Sequence, residues 1–312
     1  MAYILVNRQW QKILKQYDFM SYKIKTVITF VFLYVCGGSA YSQENVSKGT
    51  ITEVEIFSGV DFNYRDIFNS KLYEVLVNLT PGIKWNIGNG WMLAGQMIIP
   101  VYNDYGDRYK KIRLNMAVLS NELNLGRHFF KVSAGLFGQE RYGIDLKWMF
   151  PVNDWLAFDG QIGYTGYCSM AKDWKCSKMD RLTGWLGARV YMNSSNTEFR
   201  LQGGRYKYTD YGVIGECMRH FRHCTVGLYA QYSSEGEENG GFKIIMMLPP
   251  YKRKKHKVRF RTASNFRFIN NTQADPYSLK SYTTDPEENE REGHFTNGNL
   301  KWGNKQVDFK EE

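Results

Sequence analysis

The sequence predicts an all-β chain: an antiparallel, up-and-down transmembrane β-barrel of about twelve strands. Three observations predict it. Residues 51–249 read as successive segments in which apolar and polar positions alternate, the two-residue period of a strand. Hairpin-turn residues join the segments, and no amphipathic helix of convincing length lies between them. The segments are also long, near the roughly 9–11 residues a tilted strand needs to cross a bilayer, and aromatic residues gather at their ends.

Composition agrees with this. Aromatic residues make up 16% of the 312, and 29 Gly stand beside only 7 Pro, a mixture that suits pleated strands and tight turns. The mean hydropathy of −0.47 fits a barrel with a polar interior and equally a soluble β-sandwich. Strand length and the strand-end aromatics favour the barrel.

Taken in order, the chain opens on an export signal. A basic start from Met20 to Lys25 is followed by the apolar run TVITFVFLYV and the small-residue exit CGGSAYSQ. Ala40-Tyr41-Ser42 fits signal peptidase, so residues 1–42 read as a signal peptide and Gln43 as the first mature residue. The apolar run is too short to span a bilayer. Met20 directly precedes the basic start, which makes residues 1–19 consistent with a misassigned start codon. Anchoring as a lipoprotein through Cys36 is the rival reading, disfavoured by Val35 where processing wants a small residue. Cleavage removes Arg8, Lys12, Lys15, Lys23 and Lys25 against Asp18 and lowers the formal charge from +10 to +6.

The barrel itself is expected over 43–269. In 112–121, Ile112, Leu114, Met116 and Val118 alternate with Arg113, Asn115 and, further on, Asn121. In 142–150, Tyr142, Ile144, Leu146, Trp148 and Phe150 oppose Gly143, Asp145 and Lys147. Leu156, Phe158, Ile162 and Tyr164 oppose Asp159, Gln161 and Thr165. Arg189, Arg200 and Gln202 fall on the less apolar faces of their segments. Asp145, Lys147, Asp159, Gln161, Arg189, Arg200 and Gln202 are therefore the candidate lumen-facing polar residues. Trp85 and Trp91, Phe150 and Trp155, and Tyr164 and Tyr167 stand at strand ends, as interfacial girdles would.

Beyond Pro249-Pro250 the character changes. Seven Lys or Arg fall in the ten residues from Lys252 to Arg261. Lys252, Arg253, Lys254, Lys255 and Lys257 are candidate ligands for an anionic polymer or lipid headgroups, against the plainer reading of a solvated charge run. Nucleic acid is disfavoured, because the charge sits near the C-terminus and no phosphate-cradling strand–loop–helix occurs. Residues 270–312 are polar, lack sustained apolar periodicity and read as a loosely ordered tail.

Four cysteines remain after export, and an even number in an oxidising compartment favours disulfides. Cys168 and Cys176 bracket the longest interior loop, where a bridge would contribute about 2–3 kcal/mol. Cys217 and Cys224 belong to CMRHFRHC, whose two His and two Cys resemble a metal site. As a hairpin, however, that stretch points Cys217 and His220 to opposite faces, against the convergence zinc needs. A turn is the preferred reading, with a Cys217–Cys224 bridge open if the strand register allows it. No metal and no cofactor are expected. The five histidines have no nucleophile elbow or His-Glu-x-x-His pattern about them, and an enzyme is not expected.

The stretch GRYKYTDYGVIGECMRHFRHCTVGLYAQYSSEGEENGGFKIIMMLPP, residues 204–250, resembles the C-terminal part of the YjbH family. GLFGQERYGIDLKW (135–148) and GQIGYTGY (160–167) are similar to preceding strands of that family, and the basic segment after the double proline to its Bacteroidetes members. The likeness covers roughly residues 55–268 as turns and strand ends, with no catalytic signature. It implies an outer-membrane barrel that assists exopolysaccharide export or assembly, with outer-membrane lipid, exopolysaccharide and export machinery as partners. Longer members carry a further N-terminal half, which this chain is expected to lack. A general porin and a periplasmic glycan-binding sandwich are the other readings the residues leave open.

Overall fold

Why these segments close on themselves follows from which side of each strand is apolar. The computed structural model describes residues 53–65, 74–103, 110–169, 175–206, 209–221, 223–234, 238–247, 258–271, 281–288, 295–296, 299–302 and 305–307. The expected signal peptide lies outside the described residues, as do Lys252, Arg253, Lys254, Lys255 and Lys257.

The first seven strands are β1 (Glu53–Arg65), β2 (Glu74–Gly88), β3 (Trp91–Asn103), β4 (Arg113–Leu125), β5 (His128–Phe137), β6 (Arg141–Pro151) and β7 (Leu156–Ser169). A short β8 (Lys175–Cys176) folds back on the end of β7. Then come β9 (Arg181–Met192), β10 (Thr197–Arg205), β11 (Tyr211–His220), β12 (Cys224–Ser233) and β13 (Asn239–Met247). The last barrel strand is interrupted, as β14 (Val258–Thr262) and β15 (Asn265–Asn271). Three small strands, β16 (Phe295–Thr296), β17 (Asn299–Trp302) and β18 (Lys305–Val307), pair with one another in a separate sheet.

Each strand from β1 to β13 pairs antiparallel with the next, β8 aside. β13 pairs antiparallel with β15, and β1 closes the circle by running parallel to both β14 and β15. With β14 and β15 counted as one, thirteen strands form a closed barrel. The period-two segments up to residue 249 supply twelve of them; the thirteenth emerges from the end of the basic run. Its arrival makes the number odd, so the closing seam is parallel where the sequence led us to expect antiparallel pairing throughout.

The outside is apolar and the inside polar. Leu186, Leu201 and Leu228, near the middles of β9, β10 and β12, are 66%, 61% and 65% exposed. Around the same wall, Asn78, Ser120, Ser133, Thr165, Thr183, Gln202 and Gln231 are buried toward the interior. A water-soluble sandwich would place these two groups the other way round. Exposed aromatics lie at both rims, with Tyr102, Tyr211 and Tyr232 at one and Trp85, Trp155 and Phe221 at the other.

The connections also differ between rims. One rim carries tight turns such as Asn89-Gly90, where positive φ values of 51° and 78° make the mirror-image turn that matches strand twist. The other carries most of the longer connections, including 104–112 and 170–180, while 248–257, between β13 and β14, belongs to the tight-turn rim. One alternation breaks. The β3–β4 register shifts between Gln96 and Met97 and leaves Asn115 as the extra residue. Ile112 is exposed on the outer face, whereas Met116 and Val118, beyond the bulge, turn inward and are buried.

An outward leucine at mid-strand gives a direct check on the lipid-facing wall. Leu186→Arg is expected to destabilise the folded barrel by about 2–4 kcal/mol in a bilayer. Guanidinium titration of the chain refolded into lipid vesicles measures it, and an unchanged midpoint would mean that this face does not meet lipid.

Candidate functional site

The interior is a charged wall with a piece of the chain's own C-terminal region lodged inside it. The wall comes first. Strand parity turns Asp145, Lys147, Asp159, Gln161, Arg189, Arg200 and Gln202 inward, all seven on the strands β6, β7, β9 and β10. Asp159 Oδ2 accepts from Arg189 Nε at 2.8 Å and Nη2 at 2.6 Å, and from Arg200 Nη2 at 2.8 Å. Arg200 then reaches Glu216 on β11 at 3.5 Å, and Glu216 accepts from Lys243 on β13 at 2.5 Å. Arg189 also faces Glu198 at 3.7 Å. Opposite charges are thus linked in pairs from β7 to β13, some between adjacent strands and some across one.

Aromatic faces back this ladder. The Arg200 guanidinium lies 5.0 Å over the Trp185 ring, and the Lys243 ammonium 5.0 Å over Tyr229. Trp185 Nε1 donates to Gln161 Oε1 at 3.0 Å, and Gln161 Nε2 donates to Asp145 Oδ2 at 2.7 Å. Nearer the short-turn rim, His220 sits between Glu198 Oε2 at 3.1 Å and Thr225 Oγ1 at 2.9 Å, all three buried.

The Cys–His stretch separates along its strands. His220 turns inward, while Cys217 and Cys224 lie on the outer face with no disulfide between them. Cys217 pairs in register with Leu228, four positions beyond Cys224. At roughly 3.3 Å per residue the two cysteines are about 13 Å apart, too far for the bridge that the sequence left open. Cys168 and Cys176 instead face each other across β7 and β8 with Cα atoms 4.0 Å apart and form a disulfide at the long-loop rim.

Residues 281–288, Ser-Tyr-Thr-Thr-Asp-Pro-Glu-Glu, occupy the lumen. This departs from the loosely ordered tail expected there. Tyr282 stacks on Phe137 and packs with Met116 and Val118, the inward apolar residues that the β4 bulge provides. Its hydroxyl donates to Asp145 Oδ2 at 2.7 Å. Gly163 makes this possible, because a Cβ there would overlap the Tyr282 hydroxyl. Gly138 N donates to Thr283 O at 2.9 Å.

The acids that follow meet four cations. Asp285 lies 2.5 Å from Lys84 and 3.4 Å from Lys131. Glu287 takes both forks of Arg261, at 2.5 and 2.6 Å, accepts from Ser264 N at 2.8 Å and lies 3.2 Å from Lys84. Glu288 pairs with Lys147. Burial pushes all three carboxyls up, but the facing ammonium and guanidinium groups more than offset it and hold each below the usual carboxylate range. Burial and the adjacent Asp145 carboxylate raise the Tyr282 hydroxyl well above its ordinary value. The segment leaves two cavities of about 160 and 140 Å³ in the interior, and Thr283 and Glu288 line both.

With this geometry in place, comparison with known proteins adds little. No family model matches the chain, and no curated protein matches it. Among solved structures it is similar to triple mutants of the Rh. blastica porin. Two of these show 10% identity and TM-scores of 0.39, covering 63% of this chain and 90% of the porin. The fold and the lumen are read from the residues above.

Two measurements follow. Asp159→Ala leaves Arg189 and Arg200 facing each other without their carboxylate, and should cost about 3–5 kcal/mol in guanidinium unfolding. Because Asp285, Glu287 and Glu288 titrate lower in place than in a free chain, docking is complete above about pH 4.5 and is lost as acid protonates them. Hydrogen exchange of 281–288, corrected for its intrinsic rate, should therefore accelerate on acidification while the barrel strands stay protected.

Proposed function

We propose that the protein is a non-enzymatic outer-membrane barrel whose lumen assists export or assembly of exopolysaccharide. The observation that carries the reading is the closed wall, apolar toward lipid and lined inside by charge backed with aromatic rings. Trp185 and Tyr229 offer faces of the kind that stack on sugar rings, and arginines such as Arg200 bind acidic sugars through paired hydrogen bonds. The likeness of residues 204–250, 135–148 and 160–167 to the YjbH family supports the same direction. Asp145 and Asp159, a carboxylate pair that glycoside hydrolysis could use, are both engaged in wall hydrogen bonds. This favours a non-catalytic part for them.

Under this reading the tight-turn rim faces the periplasm, and the longer connections with the Cys168–Cys176 disulfide face outward. The partners are outer-membrane lipid, the polymer and the envelope export machinery. A general small-solute porin is the second reading, favoured by the two interior cavities that the lodged segment lines.

One experiment separates them. The gene is deleted in the native host, secreted polysaccharide is measured, and the purified protein is placed in a planar bilayer. Loss of polysaccharide on deletion, restored by the wild-type gene, supports the export role. Normal polysaccharide together with ready passage of small solutes would replace it with the porin.

A further inference from the structure

We propose that Lys84, Lys131, Lys147 and Arg261 form a lumenal binding site for a solute carrying closely spaced carboxylates, and that residues 285–288 are its built-in, displaceable occupant. The inference rests on the barrel reading and is independent of any particular polymer.

The occupant is bound as a ligand would be. Two parallel bonds from Arg261 to Glu287, at 2.5 and 2.6 Å, are the fork geometry by which a guanidinium recognises a free carboxylate. Lys84 serves two of the acids, at 2.5 Å from Asp285 and 3.2 Å from Glu287. The segment also carries its own internal order. Glu287 N donates to Asp285 Oδ1 at 2.9 Å, Glu288 N to Asp285 O at 3.2 Å, and Thr284 N to Glu288 Oε2 at 2.9 Å. It can therefore leave as a unit without giving up those bonds. Its ties to the wall run mainly through side chains, which another anion, or water in a flooded lumen, can replace.

Removing the acids changes the charge balance of the wall. The acids beside the cluster are Glu55, on Arg261, and Glu122, on Lys131, with Asp145 beneath Tyr282. Arg267 adds a further cation at the edge of both cavities. The vacated site is net positive, at a point where the two cavities share Thr283 and Glu288 as lining residues. Closely spaced carboxylates in solution would meet the same forks and ammonium groups that Asp285, Glu287 and Glu288 now occupy.

The test compares three forms of the full chain in planar bilayers. They are the wild type, the combined change Asp285→Asn, Glu287→Gln and Glu288→Gln, and Gly163→Val. The triple change removes the occupant's charge, whereas Gly163→Val evicts Tyr282 sterically and leaves every charge in place. Heat-dependent migration on a denaturing gel establishes that each form is a closed barrel. Both variants should conduct severalfold more than the wild type and prefer anions to cations. Citrate, a compact tricarboxylate, should block their current at millimolar concentration. Adding Lys131→Gln and Lys147→Gln to Gly163→Val should abolish the citrate block and leave the conductance high. The proposal is overturned if both folded variants conduct like the wild type, or if they open yet favour cations and ignore citrate. A deletion strain with normal polysaccharide would remove the export role and leave this site standing; an unopened variant would do the reverse.

Discussion

A strand that meets lipid must give every backbone N–H and C=O a partner in its neighbours. In this chain that constraint comes to a head at one seam. Strands that alternate up and down in an odd number bring the first and last together pointing the same way, so β1 can close only against a parallel partner. It does so in two pieces. Val54–Ser58 matches Val258–Thr262, and Asp61–Arg65 matches Arg267–Asn271. Ala263 and Ser264 lie in the gap between them. Ala263 N still finds Ser58 O at 2.9 Å, and Ser264 N finds Glu287 of the lodged segment at 2.8 Å. Arg261 holds the same place from within, clasping Glu55 across the seam at 2.8 Å and Glu287 in the lumen. Closure of the wall and seating of the segment therefore meet at one side chain.

The charges inside follow from the apolar coat outside. A strand has two faces, and once one is given to lipid the other must either fill the interior with packed apolar side chains or satisfy polar ones. This chain does the second. Burying an isolated charge is costly, and a buried pair recovers the cost only when its geometry is good and its remaining lone pairs are met. The ladder from Asp159 through Arg200 and Glu216 to Lys243 meets the geometric half of that condition, because register fixes the distance between side chains one or two strands apart, while Asp159 Oδ1 and Arg200 Nε stay buried without a hydrogen-bond partner among the described residues. Such a ladder adds little net stability. What it does supply is specificity, since a one-residue slip would turn each of these side chains toward lipid.

Much of this was legible in the sequence, for identifiable reasons. The two-residue period reports which side chains share a face, and for that reason Asp145, Lys147, Asp159, Gln161, Arg189, Arg200 and Gln202 could be picked out as one set. The same rule failed at Met116 and Val118, because a bulge at Asn115 resets the parity and no residue there announces it. The last strand was hidden by its own composition. Val258 and Phe260 alternate with Arg259 and Arg261, which reads as a charge run unless the inside of the barrel is known to want cations. The eight-residue hairpin with two Cys and two His had its answer in parity, and only the register between Cys217 and Leu228 excluded the bridge.

The lodged segment was invisible for a more general reason. A search for ordered structure looks for apolar periodicity, because in a water-soluble core burial of apolar surface supplies the driving force. Inside a polar lumen the matching currency is charge, and Thr-Thr-Asp-Pro-Glu-Glu has no apolar period to find. The signal that was present is complementary: three acids in four residues, in a chain whose formal charge is +10 and whose barrel wall exposes Lys84, Lys131, Lys147 and Arg261 inward. Only Tyr282 uses the familiar force, in the small apolar niche formed by Met116, Val118 and Phe137. A segment held this way depends on ionic conditions and on competing anions far more than an apolar plug would. The same feature that concealed it in the sequence is what allows it to be exchanged.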